Sequence, residues 1–414
     1  MTGATDTQRP LVCVYLISTH LGGGERSVLT LIQAMHTRQG INAEPWILLP
    51  KEEGPLIDLL KKSEIPFEVL KMPRLILGVS RLRPFMGWAS LLVGFPMLII
   101  YLLRLILHMR RKRPALIYSS ALKCHIFSAV LGRLLQIPVL WHLRDIISQK
   151  WSLKTLRFLA KHNRVTLVAN SQATAQAFDP HTKMVVVHNG IDPNSFKREA
   201  NRDWNREAGW PSHRLVIGMV GALARWKGQI EFLRMAAKLT RMGKDLGFVI
   251  VGGEIYDTSG DRGFLAEIKE EALKLGIYDR VYFAGFRSDP ARVMNGLDLL
   301  VHASTRPEPF GRVLIEAMAC GVPVIASAAG GVLEIIKTEK VGLTFLPGQV
   351  DEMCRQVARL VDNADLRKKI SEDAYLEFNN RFTDQMYVSE ISQLFETQFA
   401  AYSERNRDRF RASG

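Results

Sequence analysis

Apolar residues along the chain fall mostly in short unbroken runs and seldom alternate with polar ones. In the first half the runs are LVCVYLIS (11–18), AEPWILLP (43–50), PFEVLK (66–71), ALIYSS (115–120), PVLWHL (138–143), VTLVANS (165–171) and MVVVHN (184–189). Unbroken runs of this length are the signature of strands buried on both faces. Helix-period segments separate them, and strand–helix–strand repetition predicts a parallel sheet covered by helices on both sides. A polar passage, DPNSFKREANRDWNREAGWPSHR (192–214), reads as a linker. The alternation restarts with LVIGMVGA (215–222), FVIVGG (248–253), VYFAGF (281–286), LDLLVHAS (297–304), PVIAS (323–327) and GLTFLP (342–347), and the remainder is helical. The pattern predicts two doubly wound α/β domains facing a cleft, residues 1–190 and 191–382, with ligand at the carboxyl ends of the strands. A C-terminal helix, 383–414, is expected to pack back toward the N-terminal domain.

One segment departs from this rhythm. FMGWASLLVGFPMLIIYLL (85–103) has no charged residue and is followed by Arg110, Arg111, Lys112 and Arg113. About 20 apolar residues suffice to span a bilayer. Its position argues against a crossing, because the flanking runs PFEVLK and ALIYSS belong to one predicted sheet. Gly87, Gly94 and Pro96 interrupt the segment and predict a helix from Pro96 to about Arg110. On it Tyr101, Arg104, His108 and Arg111 form one thin polar stripe among apolar faces. Two readings follow. The surplus apolar face, with Phe85, Trp88, Leu91 and Leu92 before it, docks into a membrane interface, or it covers the sheet and a neighbouring helix.

Charge sharpens the first reading. The net charge of +14 lies wholly in the first half, with 24 Lys and Arg against 10 Asp and Glu up to residue 190 and 31 against 31 beyond it. Residues 71–164 hold 17 basic side chains and a single acid, Asp145. A basic field beside apolar surface favours an anionic membrane surface as partner. Nucleic acid is disfavoured, because no recognition-helix or RNP-like pattern occurs and aromatics are not interleaved with the charges. The four cysteines, Cys13, Cys124, Cys320 and Cys354, form no C-x-x-C pair and fit a reducing cytoplasm. The polar start MTGATDTQRP carries no secretory signal pattern. The expected location is therefore cytoplasmic, peripherally associated with the inner face of the membrane.

The chemistry concentrates in STRPEPFGRVLIEAMACGVPVIAS (304–327). A strand ends at Ser304, a Pro-flanked loop presents Glu308, and Gly311 or Arg312 opens a helix with Glu316 about one turn in. Both carboxylates then lie near one helix N-terminus, where free backbone NH groups and the dipole also attract anionic ligand groups. A carboxylate that accepts hydrogen bonds from sugar or ribose hydroxyls suits that place. Taken singly, Glu308 reads equally as a solvated loop residue and Glu316 as a first-turn residue.

E-P-F-G-x-x-x-x-E followed by A-x-x-x-G-x-P-V-I-A resembles the signature of glycosyltransferase family 4, retaining enzymes of the GT-B fold that use nucleotide-sugar donors. GGGER (22–26) resembles that family's N-terminal glycine loop, NGID (189–192) its entry into the second domain, VGALARWKGQ (220–229) its phosphate loop and VGG (251–253) its next strand end. These elements occur in order over residues 11–390. The resemblance implies that Glu316 holds the donor ribose and that Glu308 contacts the transferred sugar near its reacting face. It implies that backbone at Phe310, Gly311 and Arg312 touches sugar hydroxyls, and that Val313 and Leu314 lie near the diphosphate. Lys227 is implied to neutralise the leaving diphosphate, and Gly23 and Gly24 to let the first loop close over it. Phe286 and Arg287 fall where the base is usually lodged.

Two positions depart from the family pattern. Ala222 stands where an arginine is usual, and Arg225 is a candidate substitute. Arg144-Asp145 stands where His-Asp is common, which makes Asp145 a candidate catalytic residue. His142, close by, reads either as an acceptor-orienting group or as a core histidine. No Asp-x-Asp pair occurs, which agrees with a diphosphate held by Lys227, a helix dipole and backbone NH groups. No metal and no cofactor are expected beyond a UDP- or GDP-linked sugar as co-substrate.

The implied function is transfer of a sugar to a saccharide or lipid-linked saccharide acceptor in surface polysaccharide or lipopolysaccharide biosynthesis. The alternatives are a GT-B relative acting as sugar-nucleotide epimerase or phosphorylase, or an inactive membrane-bound scaffold. A dinucleotide-dependent oxidoreductase is disfavoured, because THLGGGERS after the first strand lacks the G-x-G-x-x-G spacing.

Overall fold

A computed structural model describes residues 9–73, 75, 88–161, 165–182, 184–199, 203–254 and 263–412. The chain divides into two compact units, one of residues 1–170, 174–188 and 387–414 and the other of 171–173 and 189–386. Phe85 and Gly87, and the side chains of Trp88, Leu91 and Leu92, lie outside the described residues.

The first unit runs β1 (Leu11–Tyr15), α1 (Gly23–His36), β2 (Glu44–Leu49), α2 (Pro55–Lys62), β3 (Phe67–Val69), α3 (Trp88–Lys112), β4 (Leu116–Ser119), α4 (Leu122–Leu135), β5 (Val139–Leu143), α5 (Lys150–Ala160), β6 (Val165–Ala169), α6 (Gln172–Phe178) and β7 (Val185–Val186). Its strands form one parallel sheet in the order β3-β2-β1-β4-β5-β6-β7. One face of the sheet packs on α1 and α2, the other on α3, α4 and α5.

The second unit runs α7 (Asp203–Glu207), β8 (Leu215–Val220), α8 (Gln229–Arg241), β9 (Leu246–Val251), α9 (Phe264–Lys274), β10 (Val281–Gly285), α10 (Pro290–Asn295), β11 (Leu299–His302), α11 (Arg312–Ala319), β12 (Val324–Ser327), α12 (Val332–Ile335), β13 (Leu343–Phe345), α13 (Val350–Asp362) and α14 (Ala364–Arg381). Its sheet order, β10-β9-β8-β11-β12-β13, repeats the doubly wound plan of the first. A final helix, α15 (Asp384–Ala412), contributes Tyr387, Val388, Ile391 and Phe395 to the core of the first unit, on the α1–α2 face.

Each apolar run holds one strand, in both units, and β4, β5, β9, β11 and β12 are buried along their whole length as double-sided coverage requires. β9 starts two residues ahead of its apolar run, and at Gly247 the absent side chain leaves room for the Trp210 ring. Trp210 belongs to the passage expected to be a linker, but that passage packs on the second unit. α7 lies in the same passage, with Trp204 buried against Gly296 and its indole NH donating to the Val293 carbonyl at 3.1 Å. Two tryptophans dock the otherwise polar stretch onto the second unit.

α3 also differs from expectation. It starts at Trp88, and Gly94 and Pro96 lie inside it. Pro96 sits on an exposed side of the helix, where water can satisfy the backbone bond it removes. The expected polar stripe does not mark one face. Tyr101 points inward, its hydroxyl 2.9 Å from that of Tyr15, with Leu105 and Met109 buried one and two turns on. The outward ridge is apolar: Phe95, Ile100, Leu103 and Leu107 are all more than half exposed. Among the described residues no helix is long and apolar enough to cross a membrane, and β3 and β4, on either side of α3, share one sheet.

Candidate donor site

In each sheet the strand order reverses between the first and fourth strands in chain order, β1–β4 and β8–β11, and crevices at such points hold ligands in doubly wound folds. At the carboxyl end of β11 the chain leaves the sheet through Ser304 and returns as α11. Glu308, in that loop, is clamped by its own backbone. It forms an isolated parallel bridge with Gly330, and the Gly331 NH donates to its carbonyl at 2.8 Å. A Cβ on Gly330 would lie 2.2 Å from the Glu308 carbonyl oxygen, and one on Gly331 2.5 Å from that of Pro309. Gly330 also has a φ of +69°, so both the close approach and the conformation call for glycine.

A second turn brings the cation. After β8 the chain passes Ala222 and makes a single 3-10 turn, Arg225–Lys227, ending at Gly228 with φ +87°. A Cβ at Gly228 would meet the Ala303 carbonyl oxygen at 2.0 Å. The Thr305 NH donates to the Trp226 carbonyl at 2.8 Å. Packed this tightly on the strand end, the turn delivers Lys227 to Glu308. Its ammonium donates to Oε1 at 2.9 Å and Oε2 at 2.7 Å, and lies 4.2 Å from the centroid of the Trp226 ring.

The carboxylate is further held by the Ser304 hydroxyl, 3.1 Å from Oε2, and by His302 Nε2, 3.2 Å from the same oxygen. Burial alone would push the Glu308 carboxyl up, but the Lys227 ammonium and the His302 hydrogen bond outweigh it and hold the group well below the usual carboxylate range. Glu308 is therefore an ionised carboxylate in a half-buried setting.

α11 begins beside it at Gly311, whose φ of +98° again favours glycine and which has no side chain to cap the helix. Phe310 and Leu314 are buried and Val313 half-buried, so the backbone of this first turn is the part that can face a ligand. Glu316 is buried on the second turn, where Arg312 Nε donates to its Oε1 at 2.9 Å. The arginine side chain also donates to the Gly190 carbonyl at 3.3 Å. The result is two cations, Lys227 and Arg312, each paired with a carboxylate, and one helix N-terminus around the carboxyl ends of β8 and β11, an arrangement able to bind a diphosphate together with a polyhydroxylated group.

Comparison with known proteins agrees with this chemistry. Residues 21–195 match the family model for glycosyltransferase family 4, and residues 200–377 match that for glycosyl transferases group 1. The chain belongs to glycosyltransferase family 4. The solved structure of Anabaena HepE in complex with UDP and glucose superposes on this family member with a TM-score of 0.79 at 25% identity, covering 94% of this chain and 100% of that one. The two sheets are the paired Rossmann-like domains of the GT-B fold. An uncharacterized glycosyltransferase of Methanocaldococcus jannaschii is 32% identical over 213 residues, 49% of this chain and 51% of that protein. A lipopolysaccharide core biosynthesis mannosyltransferase of Rhizobium meliloti is 25% identical over 288 residues, 69% of this chain and 80% of the relative. The chain spans about half the length of the archaeal relative and of others among the curated proteins it matches.

The remaining candidate positions of this family 4 chain are distributed as follows. Arg225, the candidate substitute for the cation missing at Ala222, is engaged by Glu267 on α9, with its guanidinium 5.0 Å from the centroid of the Phe264 ring. The Ala222 carbonyl accepts from Gln229 at 3.0 Å. Phe286, just past β10, is 54% exposed. Arg287 donates to Asp289 at 2.9 Å and to Glu207 at 3.0 Å and stacks over Trp204 at 5.2 Å, so it fastens α7 to the sheet.

In the first unit Gly23 and Gly24 open α1 at the carboxyl end of β1. A Cβ on Gly24 would sit 3.7 Å from Arg144 Cδ, ordinary contact distance. Arg144 is buried and donates to the hydroxyls of Tyr387 at 2.9 Å and Tyr118 at 3.3 Å. His142 lies in the same buried cluster, its Nδ1 2.9 Å from the Tyr118 hydroxyl. Burial, and then Arg144, hold its pKa well below the ordinary histidine value. The structure thus makes it a neutral core histidine. Asp145 is exposed at the end of β5, lining a small recess with Ser120, His125 and Arg144.

Residue patterns did not single out His302, Ser304, Gly228, Gly330 or Gly331. His302 had a signal, being the one ionisable side chain in an otherwise apolar strand. The glycines carry no signal of their own, since each is required by a neighbour distant in sequence.

Proposed function

We propose that this chain transfers a sugar from a UDP- or GDP-linked donor to a saccharide or lipid-linked saccharide acceptor in surface-glycan biosynthesis, with retention at the anomeric carbon and without a metal ion. The observation that carries the proposal is the half-buried Lys227–Glu308 pair beside the N-terminus of α11. As the glycosidic bond breaks, negative charge accumulates on the leaving diphosphate. Lys227 and the first-turn amides of α11 are fixed where that charge develops, which lowers the barrier without reorganisation. Glu308 stays ionised at the reacting face of the sugar, and Glu316, oriented by Arg312, accepts from the ribose hydroxyls. The Lys227 ammonium and the first-turn amides of α11 provide the countercharge that a divalent ion supplies elsewhere. By the family resemblance, Phe286 and Arg287 are assigned to the base and Gly23 and Gly24 to the diphosphate.

The name of the Rhizobium relative supports a surface-glycan acceptor, and HepE supports a nucleotide-sugar donor. Retention rests on the family resemblance. The apolar outward ridge of α3, flanked by exposed Arg104, Arg110 and Arg111, supports peripheral attachment to an anionic membrane on its cytoplasmic face, close to a lipid-held acceptor. The test is a panel of UDP- and GDP-sugars with excess EDTA, monitored for donor hydrolysis and binding. Turnover of at least one donor in EDTA supports the proposal, and no binding of any donor overturns it.

A further inference from the structure

The α3–α4–α5 layer has a charge pattern that the opposite layer of the same sheet lacks. None of these three helices contains an Asp or Glu, and together they carry nine Lys and Arg. On the other face, α1 has Glu25 and α2 has Asp58. The layer is continuous, since α3 packs on α4 and α4 on α5.

α5 is built to show apolar side chains outward. Ser152 and Leu156 are its buried positions, on the inner side. The opposite stripe, spaced by three, four and three residues, is Trp151, Lys154, Phe158 and Lys161, the last its C-cap. All four are exposed, Trp151 at 50% and Phe158 at 73%. Two large aromatics alternating with two lysines on the outside of a short helix are costly as a solvent face. They fit an interface whose upper part is anionic and whose lower part is hydrocarbon. Nucleic acid would match the charge but leave Leu103, Leu107 and Phe158 without a partner.

We infer that α5 is a second membrane contact, and that the outer surface of the α3–α4–α5 layer as a whole rests on an anionic lipid bilayer, with Trp151 and Phe158 inserted at headgroup depth. This rests on the reading of α3 as a membrane-facing ridge, and the test separates the two. The full chain is sedimented with vesicles of phosphatidylcholine alone and of phosphatidylcholine with phosphatidylglycerol. The wild type is compared with a Trp151→Gln/Phe158→Gln variant and a Leu103→Gln/Leu107→Gln variant. All four positions are exposed and outside the donor site, so the thermal midpoint and donor hydrolysis are expected to stay unchanged. The inference predicts binding that requires phosphatidylglycerol and falls at least tenfold in each variant. It also predicts that Trp151→Phe removes part of the fluorescence quenching by brominated lipid. Wild-type binding by the α5 variant with loss in the α3 variant overturns the inference and leaves the α3 reading standing. Failure of the wild type to bind either vesicle, or preference for a single-stranded polynucleotide over vesicles, overturns both.

Discussion

The Lys227–Glu308 pair makes a prediction in which binding and turnover move in opposite directions. In the structure the ammonium donates to both carboxylate oxygens, at 2.7 and 2.9 Å, with the two side chains only 19% and 12% exposed. In the proposed reading an incoming diphosphate competes with Glu308 for the same ammonium. Hydrogen bonds to charged groups contribute about 1.5–3 kcal/mol each. Lys227→Met, which removes one such bond from the donor complex and leaves Glu308 without its countercharge, should therefore weaken UDP or GDP binding by roughly 10- to 100-fold. Glu308→Gln removes the competing anion while keeping the shape. It should bind the nucleoside diphosphate as tightly as wild type or up to about tenfold more tightly, yet lose turnover by roughly 100-fold or more, because the sugar-facing carboxylate is gone. Isothermal titration with UDP and with GDP, followed by donor hydrolysis rates, reads both effects. If Glu308→Gln weakens nucleotide binding as much as Lys227→Met, the two residues do not compete as described and the assignment of Lys227 to the diphosphate is wrong.

Further outcomes follow from neighbouring geometry. Gly330→Ala places a methyl 2.2 Å from the Glu308 carbonyl oxygen at a φ of +69°. It should lower the thermal midpoint, by about 1–3 kcal/mol of stability, and depress turnover; an unchanged midpoint would show that the loop clamp is not rigid. His302→Ala should reduce turnover, with partial recovery in His302→Gln, whose amide can still donate to Glu308 Oε2; equal rates in the two variants would dismiss a positioning role. His142 is held neutral by burial, whereas in the unfolded chain it binds a proton below about pH 6.5. Stability should therefore fall as pH drops below that value, by up to about 1.4 kcal/mol per pH unit from this group. His142→Phe should flatten the slope in urea unfolding between pH 7 and 5, and parallel slopes would contradict the burial argument.

How far the sequence reveals these features depends on whether the cause is local. Strands buried on both faces advertise themselves as apolar runs, so the two sheets were legible down to β7, only Val185–Val186. Helix orientation was less so: on α3 the polar Tyr101 points inward to Tyr15, while Leu103 and Leu107 point outward. A stripe of polar residues cannot tell whether a buried hydroxyl finds a partner on another strand. The donor site was partly visible because Glu308, Gly311 and Glu316 are close in sequence. Lys227 is 81 residues from Glu308, and only its place in a recognisable loop linked the two. Arg225 shows the limit of proximity along the chain, since its partner Glu267 lies on a helix that spacing alone could not bring near. The glycines at 228, 330 and 331 are required by contacts with Ala303, Glu308 and Pro309, and such requirements appear only once the turns are packed.

The central claim, that Glu308 is the carboxylate at the reacting face of a bound nucleotide-sugar, is tested most directly by steady-state donor turnover in the wild type and Glu308→Ala, using whichever UDP- or GDP-sugar the wild type consumes. The account predicts a fall in kcat of roughly 100-fold or more with nucleotide binding retained. A Glu308→Ala variant that turns over donor at the wild-type rate would contradict it.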